Sequence, residues 1–160
     1  MSILLVQSCS KSKDRPSEPV EPLELYTGYF FKIIKKAIRE GEFDNQIDLC
    51  ILSAKHGLID STDRICYYDR QMDANRAATL QSAVTEELKT RVVSHKYDYV
   101  VFNLGSVYKS AIGDLSDLDA STAFIDGDGI GYKGQMLKQV VRGNYASLEM
   151  GVKNASTQAD

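Results

Sequence analysis

Hydrophobic positions along the chain fall into short solid blocks and longer periodic stretches. Ile3-Leu4-Leu5-Val6-Gln7 is apolar on both alternating sets of positions, which predicts a central strand over about 3–7, covered on both faces. Ile47-Asp48-Leu49-Cys50-Ile51-Leu52 is nearly as continuous and predicts a second strand over about 47–53. Third and fourth strands are expected over about 97–103 and 122–125. Between these blocks the period lengthens. Tyr26, Phe30, Ile33, Ile34, Ala37 and Ile38 recur at helical spacing with Lys32, Lys35, Lys36 and Arg39 on the other face, predicting a helix from about Leu25 to Glu40 that stops at Gly41. Ala77, Leu80, Val84, Leu88 and Val92 predict a longer helix over about 74–94, and shorter ones are expected near 107–112 and 132–141. Residues 10–25, with Pro16, Pro19 and Pro22, read as a loop that excludes helix, and 55–72 reads as irregular. Past Gly143 the pattern fades, so 1–145 is expected to form one domain and 146–160 a flexible tail.

Strands alternating with helices imply an α/β fold. The expected form is a single three-layer domain, a mostly parallel central sheet with right-handed crossovers and helices on both faces. In such sheets ligands bind in the crevice beyond the carboxyl ends of the strands. Four strand exits would meet there: Ser8 to Lys13, Ser53 to Gly57, Asn103 to Ser106, and Asp126 to Gly131. All are rich in small, polar or glycine residues, a composition suited to a planar or phosphorylated ligand.

Composition narrows the classes. Hydrophobic residues at 43% and charged residues at 26% are ordinary globular values. No apolar run reaches the roughly 20 residues that span a bilayer, so no membrane partner and a cytoplasmic location are expected. A net charge of −3 argues against a broad basic face for general phosphate attraction and leaves room for a local basic pocket. Cys9, Cys50 and Cys66 form an odd set without C-x-x-C spacing, which indicates neither a disulfide framework nor a zinc site. The two histidines are far apart, the carboxylates are scattered, and neither metal nor cofactor is expected.

The densest chemistry follows the first strand. In Ser8-Cys9-Ser10-Lys11-Ser12-Lys13, hydroxyls, backbone amides and two cations suit a phosphate, and a lysine beside Cys9 favours its thiolate. The glycines of a Walker A loop are absent, which excludes ordinary P-loop phosphoryl transfer. After the second strand, Ser53, Lys55, His56 and Gly57 offer a hydroxyl, a cation, a group for acid/base work near neutral pH and a close backbone approach. The plain alternative for each cluster is a solvated turn. His95, at the end of the long helix, reads as structural. Tyr67-Tyr68-Asp69 supplies an aromatic face and a carboxylate that either orients His56 or takes protons, unless the tyrosines merely cover the sheet edge. Asn103 and Gly105 stand at the third exit. Gly129 and Gly131, in Asp126-Gly127-Asp128-Gly129-Ile130-Gly131, suit a strand-to-helix turn that delivers backbone amides.

These segments carry a resemblance. Val6 to Lys13, Glu24-Leu25-Tyr26-Thr27-Gly28, Ile51 to Ile59 and Tyr68-Asp69-Arg70-Gln71-Met72 resemble a family of small uncharacterised phage and prokaryotic proteins. The order of motifs is similar to that of the YaaA peroxide-stress family, although Cys9 and Ser10 stand where that family has Pro and Ala. Cys9 and Lys13 also match the Cys and Lys of the amidine-forming domain of archaeosine synthase. Both resemblances imply a uracil-DNA-glycosylase-like architecture that grips a nucleobase. The glycosylase signatures Gly-Gln-Asp-Pro-Tyr-His and His-Pro-Ser-Pro are absent.

The implied function is an enzyme that processes a nucleobase, nucleoside or nucleotide, free or within DNA or RNA, by N-glycosidic cleavage or exchange or by base modification. Ser8, Ser10, Lys11 and Lys13 would hold phosphate or ribose, and Cys9 would be nucleophile or pocket wall. His56 and Asp69 would do acid/base work, Tyr68 would stack on the base, and Tyr26 would join the binding set. The alternatives are a non-enzymatic DNA-binding protein of the YaaA kind and an interaction or inhibitor module.

Overall fold

The computed structural model describes residues 1–127, 129–146 and 148, so the tail expected over 146–160 falls almost wholly outside the described residues, as does Asp128. Five strands form one sheet: β1 (Ile3–Ser8), β2 (Ile47–Ser53), β3 (Gly57–Asp60), β4 (Tyr99–Asn103) and β5 (Ser121–Phe124). The order is β3-β2-β1-β4-β5; β1, β2, β4 and β5 run parallel, and β3 is an antiparallel edge. β1 is buried at every position, as its solid apolar sequence requires of a strand with neighbours on both sides. The β1–β2 ladder continues one step further, with Cys9 N–H donating to the Leu52 carbonyl at 3.0 Å.

The helices are α1 (Pro22–Leu25), α2 (Tyr29–Arg39), α3 (Ala74–His95), α4 (Ser106–Lys109) and α5 (Ile130–Val141). α2 packs on α5, and α3 packs on β3 and α4. Chain order is β1-α2-β2 in one direction and β3-α3-β4 in the other, so right-handed crossovers send these two groups to opposite faces. In α2 the buried positions are Phe31, Ile34 and Ala37, whereas Ile38, expected among the apolar set, is 45% exposed. α3 starts at Asp73, whose carboxylate accepts from Arg76 N–H at 2.7 Å, and it stops at Lys96 in left-handed geometry with φ 55°. Arg91 of α3 bonds Asp60 at 2.9 Å and so fastens the helix to the edge strand.

Three elements differ from the sequence expectation. The stretch read as excluding helix contains α1, one turn with Pro22 at its first position, where a missing N–H costs nothing. The helix expected from Leu25 begins only at Tyr29, because residues 25–27 pair with residues 12–14 instead. Asp14 N–H reaches the Leu25 carbonyl at 2.8 Å, Thr27 N–H reaches the Ser12 carbonyl at 3.0 Å, and Lys13 bridges Tyr26. Strand β3 lies inside the region read as irregular. Four residues are too few for a visible period, and their pairing with β2 from Ser53↔Gly57 to Cys50↔Asp60 creates the strand.

At the start of α2, Gly28 sits so close to the first loop that an added Cβ would lie 2.6 Å from Ser10 Cβ. Gly28→Ala is therefore expected to destabilise the fold by about 1–3 kcal/mol through overpacking, seen as a lower urea midpoint at unchanged slope. Asp73→Ala should cost about 1 kcal/mol in the same measurement, by removing the α3 cap.

Candidate functional site

From β1 the chain leaves in one direction to β2, while β4 lies on the other side, so the carboxyl ends of β1 and β4 flank the sheet's topological switch point. Cys9 follows β1, and the turn Leu104-Gly105 and helix α4 follow β4. Across the gap Cys9 Sγ and the Tyr108 hydroxyl are 3.0 Å apart. A cleft of about 320 Å³ opens there. Cys9, Ser10, Lys11, Lys13 and Tyr108 form one part of its lining, and Asp69, Arg70, Gln71 and Met72 the other. A larger cavity of about 580 Å³ lies at the amino-terminal edge, between the end of α3 and the loop before β5, near Lys89 and Asp117. Its lining contains neither cysteine nor histidine, and of its two lysines, Lys89 and Lys96, the first is engaged by Asp117 at 3.1 Å. The smaller cleft gathers the thiol, a phenol, two lysines, an arginine and a carboxylate.

A buried hydroxyl chain lies near Cys9 and Lys13, and none of its members lines the cleft. Ser53 Oγ accepts from the backbone N–H of Lys55 at 3.2 Å and of His56 at 3.0 Å, and lies 2.9 Å from the Tyr68 hydroxyl, which is 2.6 Å from that of Tyr26. A serine oxygen has two acceptor sites and one proton. With both acceptor sites used by amides, Ser53 donates to Tyr68, and Tyr68 donates to Tyr26. Burial, partly offset by the hydrogen bond from Tyr68, pushes Tyr26 to about 12. Burial first, and then the neighbouring Cys9, raises both Tyr68 and Tyr108. All three phenols are protonated at neutral pH, so the Tyr108 hydroxyl can donate to the Cys9 sulfur.

Three basic side chains surround the Tyr68 ring. Lys13 Nζ lies 4.6 Å from its centroid, Lys55 Nζ lies at 5.9 Å, and the His56 ring meets it edge-on at 5.5 Å. Such contacts hold cations against the ring's negative face. Partial burial, and secondarily Lys55, lowers the His56 pKa below its ordinary value. Tyr68 itself is only 5% exposed, so it anchors these cations and offers little free face for a stacked base. The turn bearing His56 is held from below by Arg76, which donates to the carbonyls of Ala54 and Lys55, each at 2.7 Å.

The remaining expected site residues divide between the cleft and its supports. Lys11 and Asp69 are exposed on the rim; among the described residues no hydrogen bond or ion pair joins Asp69 to His56. Ser8 is buried at the end of β1. Ser10 ties down the loop, accepting from Gly28 N–H at 3.2 Å and donating to the Ser12 carbonyl at 2.6 Å. Gly57 is buried under Val84 and Leu80 of α3 at φ +75°, so its glycine serves the turn into β3. Asn103 is buried and donates to Gln7 at 2.9 Å beneath the switch point. Gly105 precedes α4, Gly129 precedes α5, and Gly131 is exposed in the first turn of α5. Tyr108, Arg70, Arg76 and Gln7 were not singled out by sequence reasoning. Tyr108 was within reach, since it stands in the short helix expected after the third strand exit.

The family described as DUF6884, of unknown function, matches residues 3–139. No curated protein and no solved structure matches the chain. The family match begins with β1, takes in all five strands and both walls of the cleft, and ends within α5: the chain belongs to DUF6884.

Proposed function

We propose that the cleft binds a nucleotide and that the protein acts on its base or its N-glycosidic bond, with Cys9 as the nucleophile. The observation that carries this reading is the Cys9–Tyr108 pair at the switch point, under a rim of Lys11, Lys13 and Arg70. Phosphate suits the rim cations, and a planar base suits the space between Met72 and Tyr108, next to the sulfur. Tyr108 supplies a hydrogen-bond donor at the reacting sulfur. Lys13 is held in place through Tyr68, whereas His56, expected to do acid/base work, meets the same ring edge-on and does not line the cleft. The uracil-DNA-glycosylase-like architecture implied by the sequence resemblance agrees with a base-binding crevice at this edge. Three free cysteines, two of them buried, suit a reducing compartment such as the cytoplasm.

A panel of nucleoside mono-, di- and triphosphates assayed by calorimetry and product chromatography tests the proposal. Lys13→Ala should weaken binding about tenfold or more, the loss of a charge-assisted contact. Cys9→Ser should retain binding and lose turnover. Saturable binding without any product would leave a binding protein and remove the catalytic role of Cys9, and absence of binding across the panel would refute the reading entirely.

His56 should titrate below 6.5, its ordinary value, so that the ring is neutral at pH 7. Lys55→Ala should raise its midpoint only part of the way back, because burial is the larger cause. Proton NMR of the ring signals measures both shifts.

A further inference from the structure

The helix pair α2 and α5 has a charge pattern unlike the rest of the chain. α2 carries Lys32, Lys35, Lys36 and Arg39, α5 carries Lys133 and Lys138, and neither helix contains a single aspartate or glutamate. The whole chain has 22 acidic residues and a net charge of −3, so these cations are segregated onto one packed pair of helices. Tyr29, Lys32, Lys36 and Arg39 recur along the exposed side of α2, and Tyr132, Gln135 and Lys138 do so on α5. Tyr29 is 46% and Tyr132 55% exposed, high values for rings of that size. Between the helices runs a groove of about 280 Å³, lined by Tyr29, Ile33, Lys36, Gln135, Lys138 and Arg142. At one end of the groove Arg142 is matched by Glu40 and Glu42, so the cations left exposed along the face are Lys32, Lys36, Arg39 and Lys138.

We infer that this face is a docking surface for a single-stranded polynucleotide, and that the base processed in the Cys9 cleft arrives as part of that polymer. Cations at helical spacing neutralise successive phosphates, and exposed tyrosines among them stack on unpaired bases. A lipid surface would call for a broad apolar face, whereas the exposed positions of α2 and α5 are mostly Tyr, Lys, Arg and Gln. Five residues separate β5 from α5, and Lys133 in the first turns of that helix reaches the Leu104 carbonyl at 3.3 Å, beside the β4 exit. Lys133 thereby ties α5 to the edge that bears the cleft. Docking follows from the cations and exposed tyrosines of this face, whereas delivery also requires the cleft to act as proposed above.

The test is fluorescence anisotropy with a labelled mixed-sequence single-stranded DNA, its RNA counterpart and its duplex over a salt series, with vesicles of phosphatidylcholine and phosphatidylserine in parallel. The single strand should bind more tightly than the duplex. The triple variant Lys32→Glu, Lys36→Glu, Lys138→Glu should weaken that binding about tenfold or more and reduce the salt slope by about 2, at roughly 0.7 per phosphate contact. Tyr132→Ala should weaken it about fivefold. Glutamine replacements at the three lysines, checked by circular dichroism, guard against misfolding. Free-nucleotide binding should be unchanged in all of these variants, and loss of it in Lys13→Ala with polymer affinity retained separates the cleft from the groove. Polymer binding that ignores the triple variant, tighter binding of duplex or vesicles, or no binding of any of them would overturn the inference.

Discussion

Everything in this molecule hangs on β1 being paired on both sides. Its six residues are all buried, and its amides and carbonyls are shared between β2 and β4, so the strand has no solvent-facing edge or face. Parallel pairing on both sides demands two crossovers, and right-handedness sends them to opposite faces. The space between the outgoing loops is therefore a consequence of sheet topology. Cys9 lies in that space because it is the first residue past the strand, held in the ladder by the Leu52 carbonyl.

Polar groups at this edge are arranged for rigidity. A buried hydroxyl that lacks a partner costs free energy, and the Ser53–Tyr68–Tyr26 chain satisfies three of them with two backbone amides as the starting donors. The same chain joins three segments distant in sequence: the loop after β1, the end of β2 and the stretch before α3. Lys13 and Lys55 then find a fixed aromatic partner, so positive charge is positioned rather than merely present. Arg76 does for the His56 turn what Ser10 does for the first loop, binding carbonyls that the local backbone leaves open.

Burial also sorts the roles of side chains that look alike in sequence. Lys11 and Lys13 are two residues apart, yet Lys11 is exposed on the rim while Lys13 lies over Tyr68. Cys9 and Cys50 are both buried. Cys50 is sealed in β2, where its thiol is pushed up to about 12 chiefly by burial, whereas Cys9 lines a cleft and meets a phenol. The net negative charge of the chain likewise conceals a helix pair free of carboxylates. Net charge is a sum over the chain, and only packing tells which residues of that sum share a face.

The strands β1, β2, β4 and β5, the long helix α3 and the parallel arrangement were legible in the sequence, because solid apolar blocks and 3.6-residue periods follow directly from which faces must leave water. The clusters after β1 and β2 stood out for the same reason: polar groups concentrated at strand ends have no place in a core. What the sequence left undecided was set by distant partners. Residues 25–27 gave up helix for pairing with 12–14, β3 became a strand only beside β2, and Tyr108 became a partner of Cys9 only because β4 lies next to β1. Local pattern thus determined most of the elements and the sheet edge at which the polar clusters gather. Tertiary structure alone decided which side chains meet, since each such meeting depends on pairing between segments that no local period records.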